Sequence, residues 1–128
     1  MNSMIGFRVD ASKFIGAGHI YRCLILAQQF KKKKIKSVFI SQSLDSDLQE
    51  IIKSKGHIVH LLKQKKKFKN QNFSKNHFLP WKKKIQLNDS LNTLKVLDNF
   101  GIDKLIVDHY ALGATWQKKI CSFKKLIV

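Results

Sequence analysis

A histidine that directly follows two closely spaced glycines is the first feature of this sequence that points to chemistry. Gly16, Gly18 and His19 lie between an apolar run and a segment with helical periodicity. Glycines let a backbone turn tightly and let a ligand approach it closely. The N–H groups at a helix start favour phosphate or a developing anion. The signal is weak by itself, because the third glycine of a dinucleotide fingerprint and the Walker loop are both absent.

His19 falls in the first turn of the predicted helix, where the positive end of the helix dipole disfavours an imidazolium. A neutral imidazole in a cleft can accept a proton from water or a hydroxyl, which is the requirement for a general base. The alternative is a histidine that only caps or packs the helix. Arg22 lies on the same side of the helix and could meet an anionic group, or it could simply be solvated.

A second group of polar residues ends a later apolar run. Asp108, His109 and Tyr110 follow it directly. Asp108 could orient His19, bind sugar hydroxyls or play a structural role, and Tyr110 could stack on a ligand or hydrogen-bond to it. The sequence has no G-x-S-x-G element, Cys23 falls on an apolar helix face, and the remaining histidines lack metal-ligand spacing. We therefore predict neither a Ser or Cys nucleophile, nor a metal site, nor a cofactor.

Apolar runs alternate with segments of helical spacing along the chain. Residues 63–84, rich in Lys, Asn and Gln, predict a long loop. This alternation predicts an α/β fold, a Rossmann-like parallel sheet with flanking helices. Because right-handed crossovers place all strand carboxyl ends at one edge, Asp10, the glycine loop and Asp108 should share one crevice. Strands are predicted at 5–9, 37–41, 57–62, 104–108 and, opening a fifth, 126–128, and helices at 20–30 with an end within 31–34, 45–55 with a stop at Gly56, 89–99 and 116–123.

The charge balance is strongly basic. The chain has 128 residues, 25 Lys+Arg and 8 Asp+Glu, for a formal net charge of +17. Arg8 and Arg22 are its only arginines, whereas base-reading proteins rely on arginine. Coding bias towards lysine explains this composition most simply, an anion-attracting surface less so, and a nucleic-acid or anionic-membrane surface least.

The cysteines and the hydropathy pattern bear on location. Cys23 and Cys121 lie far apart and indicate neither a disulfide framework nor a zinc site. The sequence shows no signal peptide and no apolar stretch near the ~20 residues that cross a bilayer. These features predict a cytoplasmic protein without a transmembrane segment.

Three blocks of the sequence resemble one enzyme family, the UDP-sugar hydrolases of pseudaminic acid biosynthesis. These enzymes cleave UDP-2,4-diacetamido-2,4,6-trideoxy-β-L-altropyranose, and related polysaccharide-biosynthesis proteins share the pattern. The first block, 8–27, is the most specific, and the third is the weakest. The matching residues are Arg8, Asp10, Ala11, Ser12, Ile15, Gly16, Gly18, His19, Arg22, Cys23, Leu24, Leu26 and Ala27 in the first block, Ile106, Val107, Asp108, His109, Tyr110, Leu112 and Trp116 in the second, and Trp81, Asp89 and Thr93 in the third.

The resemblance implies a two-domain glycosyltransferase-B-like fold that closes over a UDP-linked amino sugar. It implies that His19 activates a water, which attacks the anomeric carbon and displaces UDP with inversion and without a metal. Gly16 and Gly18 would shape the loop beside the sugar and diphosphate, and Tyr110 would contact the sugar. The expected substrate-binding residues are Asp10, Gly16, Gly18, Arg22, Asp108 and Tyr110.

The resemblance covers only the N-terminal half of such an enzyme, and the chain ends on an apolar run. We therefore expect residues 1–128 to be a truncated N-terminal Rossmann-like domain without its C-terminal nucleotide-binding domain. Alone it should be almost inactive, unless a separate chain supplies the second half. The alternatives are half of a related nucleotide-sugar glycosyltransferase, in which His19 deprotonates an acceptor hydroxyl, and a basic nucleic-acid-binding module.

Overall fold

Parallel strands form the centre of the structure, a computed structural model that describes residues 3–11, 18–63, 81–109 and 111–123. Four strands in these ranges form one sheet in the order β3-β2-β1-β4, and every neighbouring pair is parallel. The predicted α/β class with a parallel sheet and flanking helices is therefore confirmed. The elements are β1 (Met4–Val9), α1 (Gly18–Lys32), β2 (Lys36–Ser41), α2 (Ser46–Ser54), β3 (Ile58–Leu61), α3 (Lys83–Phe100), β4 (Leu105–Asp108) and α4 (Ala114–Phe123).

Alternation along the central strands divides the interior into two apolar layers. Phe7 and Phe39 face one layer, where they stack at a centroid distance of 5.0 Å beneath α1 and α2. Val38 and Ile40 face the other, which packs against α3 and α4. Because successive strand side chains point to opposite faces, Arg8 lies on the same face as α3 and α4, although its neighbours in β1 are apolar.

The predicted helix ends are found where glycine and lysine indicated them. Helix α1 ends at Lys32, and α2 ends just before Gly56, whose φ of 88° is readily adopted by glycine. Gly101 ends α3 in the same left-handed region, with a φ of 66°. None of the helices in the described ranges is both long enough and apolar enough to span a membrane.

Three helices begin earlier than the sequence predicts. Helix α1 starts at Gly18 rather than at residue 20. Helix α3 starts at Lys83 rather than Asp89, so the predicted loop 63–84 is too long at its end. Buried Gln86 supports the first turn of α3, because its side chain donates to the Trp81 carbonyl at 2.7 Å, while the Trp81 N–H donates to the distant Ala111 carbonyl at 2.9 Å. Helix α4 starts at Ala114 rather than Trp116, because the same Gln86 accepts the Gly113 and Trp116 N–H groups at 3.0 and 3.2 Å. The predicted strand at 126–128 lies outside the described residues.

Candidate active site at the carboxyl edge of the sheet

Strands β1 and β4 end side by side, and Val9 pairs with Asp108 in their register. Helices α1 and α2 cover one face of the sheet, whereas α3 and α4 cover the other. The direction of the crossover connections therefore reverses between β1 and β4. In open α/β sheets, ligands bind in the crevice outside the strand ends at such a switch point.

Three polar side chains meet at this point and are called the open cluster: His19 and Arg22 of α1 and Asp108 of β4. His19 Nδ1 is hydrogen-bonded to Asp108 Oδ1. Arg22 donates to the same carboxylate, with Nη2 at 3.0 Å from Oδ1 and 2.9 Å from Oδ2 and Nε at 3.1 Å from Oδ2. The side chains are 13%, 63% and 23% exposed for His19, Arg22 and Asp108. The cluster is thus held together firmly but remains open to solvent.

The pairing with Asp108 assigns the tautomer of His19. An ionised carboxylate only accepts hydrogen bonds, so the proton of a neutral imidazole lies on Nδ1 and the lone pair on Nε2. Arg22 Nη2 also lies 3.0 Å from His19 Nδ1. Because both nitrogens then carry hydrogen, this approach is a contact between a cation and the ring rather than a hydrogen bond. A neutral His19 therefore presents the lone pair of Nε2 as a base, and Asp108 fixes the orientation of the ring.

A second polar group, the buried cluster, lies behind the first and comprises Arg8, Asp10, Asp89 and His109. Arg8 is fully buried; its Nη1 donates to Asp10 Oδ1 at 2.9 Å and its Nε to Asp89 Oδ1 at 3.0 Å. His109 Nε2 lies 2.6 Å from Asp10 Oδ2, and the backbone N–H of Ala111 donates to His109 Nδ1 at 3.1 Å. The imidazole is therefore the Nε2–H tautomer that donates to Asp10.

Hydrogen bonds from three further side chains complete the buried cluster. Asp89 accepts from Trp116 Nε1 at 2.8 Å, from Gln42 Nε2 at 2.6 Å and from Thr93 Oγ1 at 3.2 Å. Burial by itself would raise the pKa of Asp10, but the Arg8 guanidinium and His109 outweigh it and hold that pKa well below its usual range. Burial likewise opposes the charge of Arg8, yet Asp10 and Asp89 raise its pKa above the usual value. The cluster is thus a hydrogen-bonded part of the core, centred on the Arg8–Asp10 ion pair.

The predicted site residues fall into three groups. His19, Arg22 and Asp108 come together in the open cluster, and of the roles considered for Asp108 the geometry favours orientation of His19. Asp10 is 1% exposed and accepts hydrogen bonds from Arg8, from His109 and from the backbone N–H groups of Gln42 and Ser43. It therefore stabilises the carboxyl edge of the sheet. Its contact with substrate stays a prediction.

Of the two predicted glycines and the predicted tyrosine, the structure describes Gly18 alone. Gly18 opens α1, and a Cβ placed there would meet nothing within 4 Å, so space alone does not require glycine at this position. Gly16 and Tyr110 lie outside the described residues.

Sequence reasoning assigned no role to Arg8, Asp89 or His109. The one local signal was a charged residue at an inward position of an apolar strand, since Arg8 lies between Phe7 and Val9. Its partners come from distant segments, which periodicity cannot bring together. In the described ranges, no three His, Cys, Asp or Glu side chains lie close enough together to hold a metal ion.

The Rossmann-like parallel sheet of this chain, with helices on both faces, is similar in fold to part of two structures of glycosyltransferase-B-like architecture. The glycosyltransferase from Rickettsia africae ESF-5 superposes with a TM-score of 0.62 and 15% identity, over 98% of this chain and 28% of that one. MurG of Acinetobacter baumannii superposes with a TM-score of 0.59 and 6% identity, over 96% of this chain and 33% of that one. The chain thus spans about a third of each protein, and the likeness is one of fold.

The sequence itself gives no such match. No protein-family model matches the chain, and no curated protein matches it. The resemblance to the UDP-sugar hydrolases therefore stays a prediction.

Proposed function

We propose that this chain is the base-carrying half of an enzyme that transfers the sugar of a nucleotide sugar to a hydroxyl group. The observation that carries the proposal is the His19–Asp108 pair at the start of α1, next to the switch point between β1 and β4. The likeness of fold to a glycosyltransferase and to MurG supports the same reading.

The proposed reaction is a displacement at the anomeric carbon. The acceptor oxygen gives its proton to His19 Nε2 and forms the new bond to that carbon. The bond between the carbon and the diphosphate oxygen breaks, and the leaving nucleoside diphosphate keeps the electron pair. Asp108 accepts from Nδ1 throughout and stabilises the imidazolium that forms, as the acid does in a Ser-His-Asp triad.

Hydrolysis is the second candidate, with water as the acceptor. It is favoured by the sequence blocks around His19 and Asp108, which resemble those of the UDP-sugar hydrolases of pseudaminic acid biosynthesis. On this reading the substrate is UDP-2,4-diacetamido-2,4,6-trideoxy-β-L-altropyranose, and Gly16, Gly18 and Tyr110 lie along the sugar and diphosphate. Both candidates place the same histidine at the same carbon and differ in the oxygen that attacks.

A second half belongs to the proposal, because the chain spans 28% and 33% of the two glycosyltransferase-like structures. That half, in the same polypeptide or in a separate chain, would hold the nucleotide and close the cleft. Closure matters because positioning and exclusion of water supply much of the rate in such reactions.

The first test is binding at the proposed site. The chain labelled with ¹⁵N is titrated with the UDP-linked diacetamido sugar, and the imidazole signals of His19 are followed by NMR. We expect them to shift at millimolar sugar while those of His60, on the far strand β3, stay in place. Sugar that leaves the His19 signals unchanged would contradict the proposal.

The second test follows UDP release in ¹⁸O-enriched water by the chain combined with its second half, either in the same polypeptide or as a separate chain. Release above the buffer rate should fall by about 10²–10⁴ in His19→Ala and persist in His60→Ala. Incorporation of ¹⁸O at the anomeric carbon identifies water as the acceptor, whereas its absence together with a new glycoside identifies transfer. Release that persists in His19→Ala would remove the base role.

A further inference from the structure

Asp108 has two partners that compete for its charge. His19 Nδ1 occupies Oδ1, while Arg22 reaches both oxygens through Nη2 and Oδ2 through Nε. One carboxylate therefore accepts hydrogen bonds from an imidazole and from a permanent cation at once. In this arrangement the guanidinium, not the imidazole, neutralises Asp108.

The position of Arg22 also opposes the step that the proposed reaction needs. Its Nη2 lies 3.0 Å from His19 Nδ1, so a proton taken up at Nε2 would create a second positive charge against the first. Asp108 could stabilise that imidazolium fully only if Arg22 had another anion to pair with. In the open cluster as it stands, the positive charge of Arg22 therefore opposes the uptake of a proton by His19.

Arg22 is suited to such an exchange of partners. Its side chain is 63% exposed, against 13% for His19 and 23% for Asp108, so a ligand can reach it from solvent. A guanidinium binds phosphate through two parallel N–H groups, as it does a carboxylate. Arg22 also lies in the first turns of α1, where the helix dipole favours negative charge.

We propose that the diphosphate of the nucleotide sugar draws Arg22 away from Asp108, so that the His19–Asp108 pair is released for catalysis only when substrate is bound. This inference rests on the proposed function, since it takes the ligand to be a nucleoside diphosphate sugar. It makes Arg22 a positioning residue that couples binding of the leaving group to the charge around the base. The acceptor is then deprotonated only in the presence of the sugar to be transferred.

Inorganic pyrophosphate is the probe, because it carries the diphosphate without sugar or base. The labelled chain is titrated with it while the Nε–H signal of Arg22 and the ring nitrogens of His19 are followed by NMR. We expect both residues to respond together, with His19 retaining the Nδ1–H tautomer. Arg22→Gln should weaken pyrophosphate binding at least about tenfold and abolish the response of His19.

Lys32→Gln is the matched control, because it removes the same charge from the exposed last turn of the same helix. It should change binding by less than about twofold and leave the response of His19 intact. Arg22→Lys should retain part of the binding as a point charge but lose the coupled response, since lysine cannot form the two-pronged contact.

Four outcomes would overturn the inference. They are no response to pyrophosphate, a response of His19 that survives in Arg22→Gln, loss of the response in Lys32→Gln, and an Arg22 signal that stays unchanged in the saturated complex. The proposed function fails separately. If the UDP-linked sugar binds at His19 while Arg22 keeps its signal, only the coupling is wrong, whereas no binding of the sugar at His19 removes the function itself.

Discussion

The buried cluster and the open cluster contain the same residue types but differ in their access to water. Each has one arginine, one histidine and aspartate, and each lies where β1 and β4 end. Arg8 is fully buried with Asp10 and Asp89, whereas Arg22 is 63% exposed beside Asp108. Burying charges is expensive and demands complete pairing, while an exposed pair costs little to rearrange. The same residue types thus stabilise the fold in the buried cluster and are accessible to a ligand in the open cluster.

The two clusters are joined through the backbone. Asp108 belongs to the open cluster, and the next residue, His109, belongs to the buried one. Arg8 of β1 and Asp10, which directly follows that strand, are both buried and pair with each other across the intervening residue. The buried cluster therefore fixes the strand ends that carry Asp108, and its ion pairs hold the site in place without contacting a ligand.

The largest expected difference between the clusters is in stability. Arg8→Met leaves Asp10 and Asp89 buried without their counter-charge and should lower the free energy of unfolding by about 3–5 kcal/mol. Arg22→Met, the matched change in the open cluster, should cost less than about 1 kcal/mol. Urea denaturation of both variants measures the two losses. Equal losses of unfolding free energy in the two variants would show that solvent exposure does not determine how much each cluster contributes to stability.

The effects of replacing His109 and His19 on stability should differ in the same direction as those of the two arginines, but by a smaller amount. His109→Leu removes a donor from Asp10 and an acceptor from the Ala111 N–H, which should cost about 1–3 kcal/mol. His19→Leu removes one contact from a solvent-facing carboxylate and should cost less than about 1 kcal/mol. Thermal unfolding with a common reference protein checks the order. A larger loss in His19→Leu would reverse the roles assigned to the two histidines.

Local patterns in the sequence predict the sheet and half of the site. Periodicity locates β1, β2 and β4, and the rule that parallel strands share a carboxyl edge brings Asp108 towards His19. The buried cluster escapes such reasoning, because Arg8 meets Asp89 only through the packing of α3 against the sheet. For the same reason the early start of α3 at Lys83 is hard to predict, because Gln86 accepts from the distant Gly113 N–H and Trp81 donates to the distant Ala111 carbonyl.

The smallest expected effect concerns His57, a buried histidine that lacks, in the part of the chain that the structure describes, the hydrogen bonds that His109 makes. His57 is 5% exposed, it packs 5.8 Å from the ring of Phe39, and within the described residues its Nε2 has no hydrogen-bond partner. Burial, Lys31 and Lys55 lower its pKa. Below about pH 6.5, His57 binds a proton in the unfolded chain but not in the native chain, so the free energy of unfolding falls as the pH falls.

His57→Phe removes both the unpartnered nitrogen and this proton linkage. We expect the variant to gain about 1 kcal/mol at pH 5 relative to the wild type and to gain less at pH 7, where the histidine is neutral in both states. Lys31→Gln should flatten the acid dependence partially, because one of the charges that disfavours protonation is gone. Urea denaturation at the two pH values measures both effects. A wild-type slope retained in His57→Phe would show that the acid loss arises elsewhere, and the contrast between a compensated and an uncompensated buried histidine would fail.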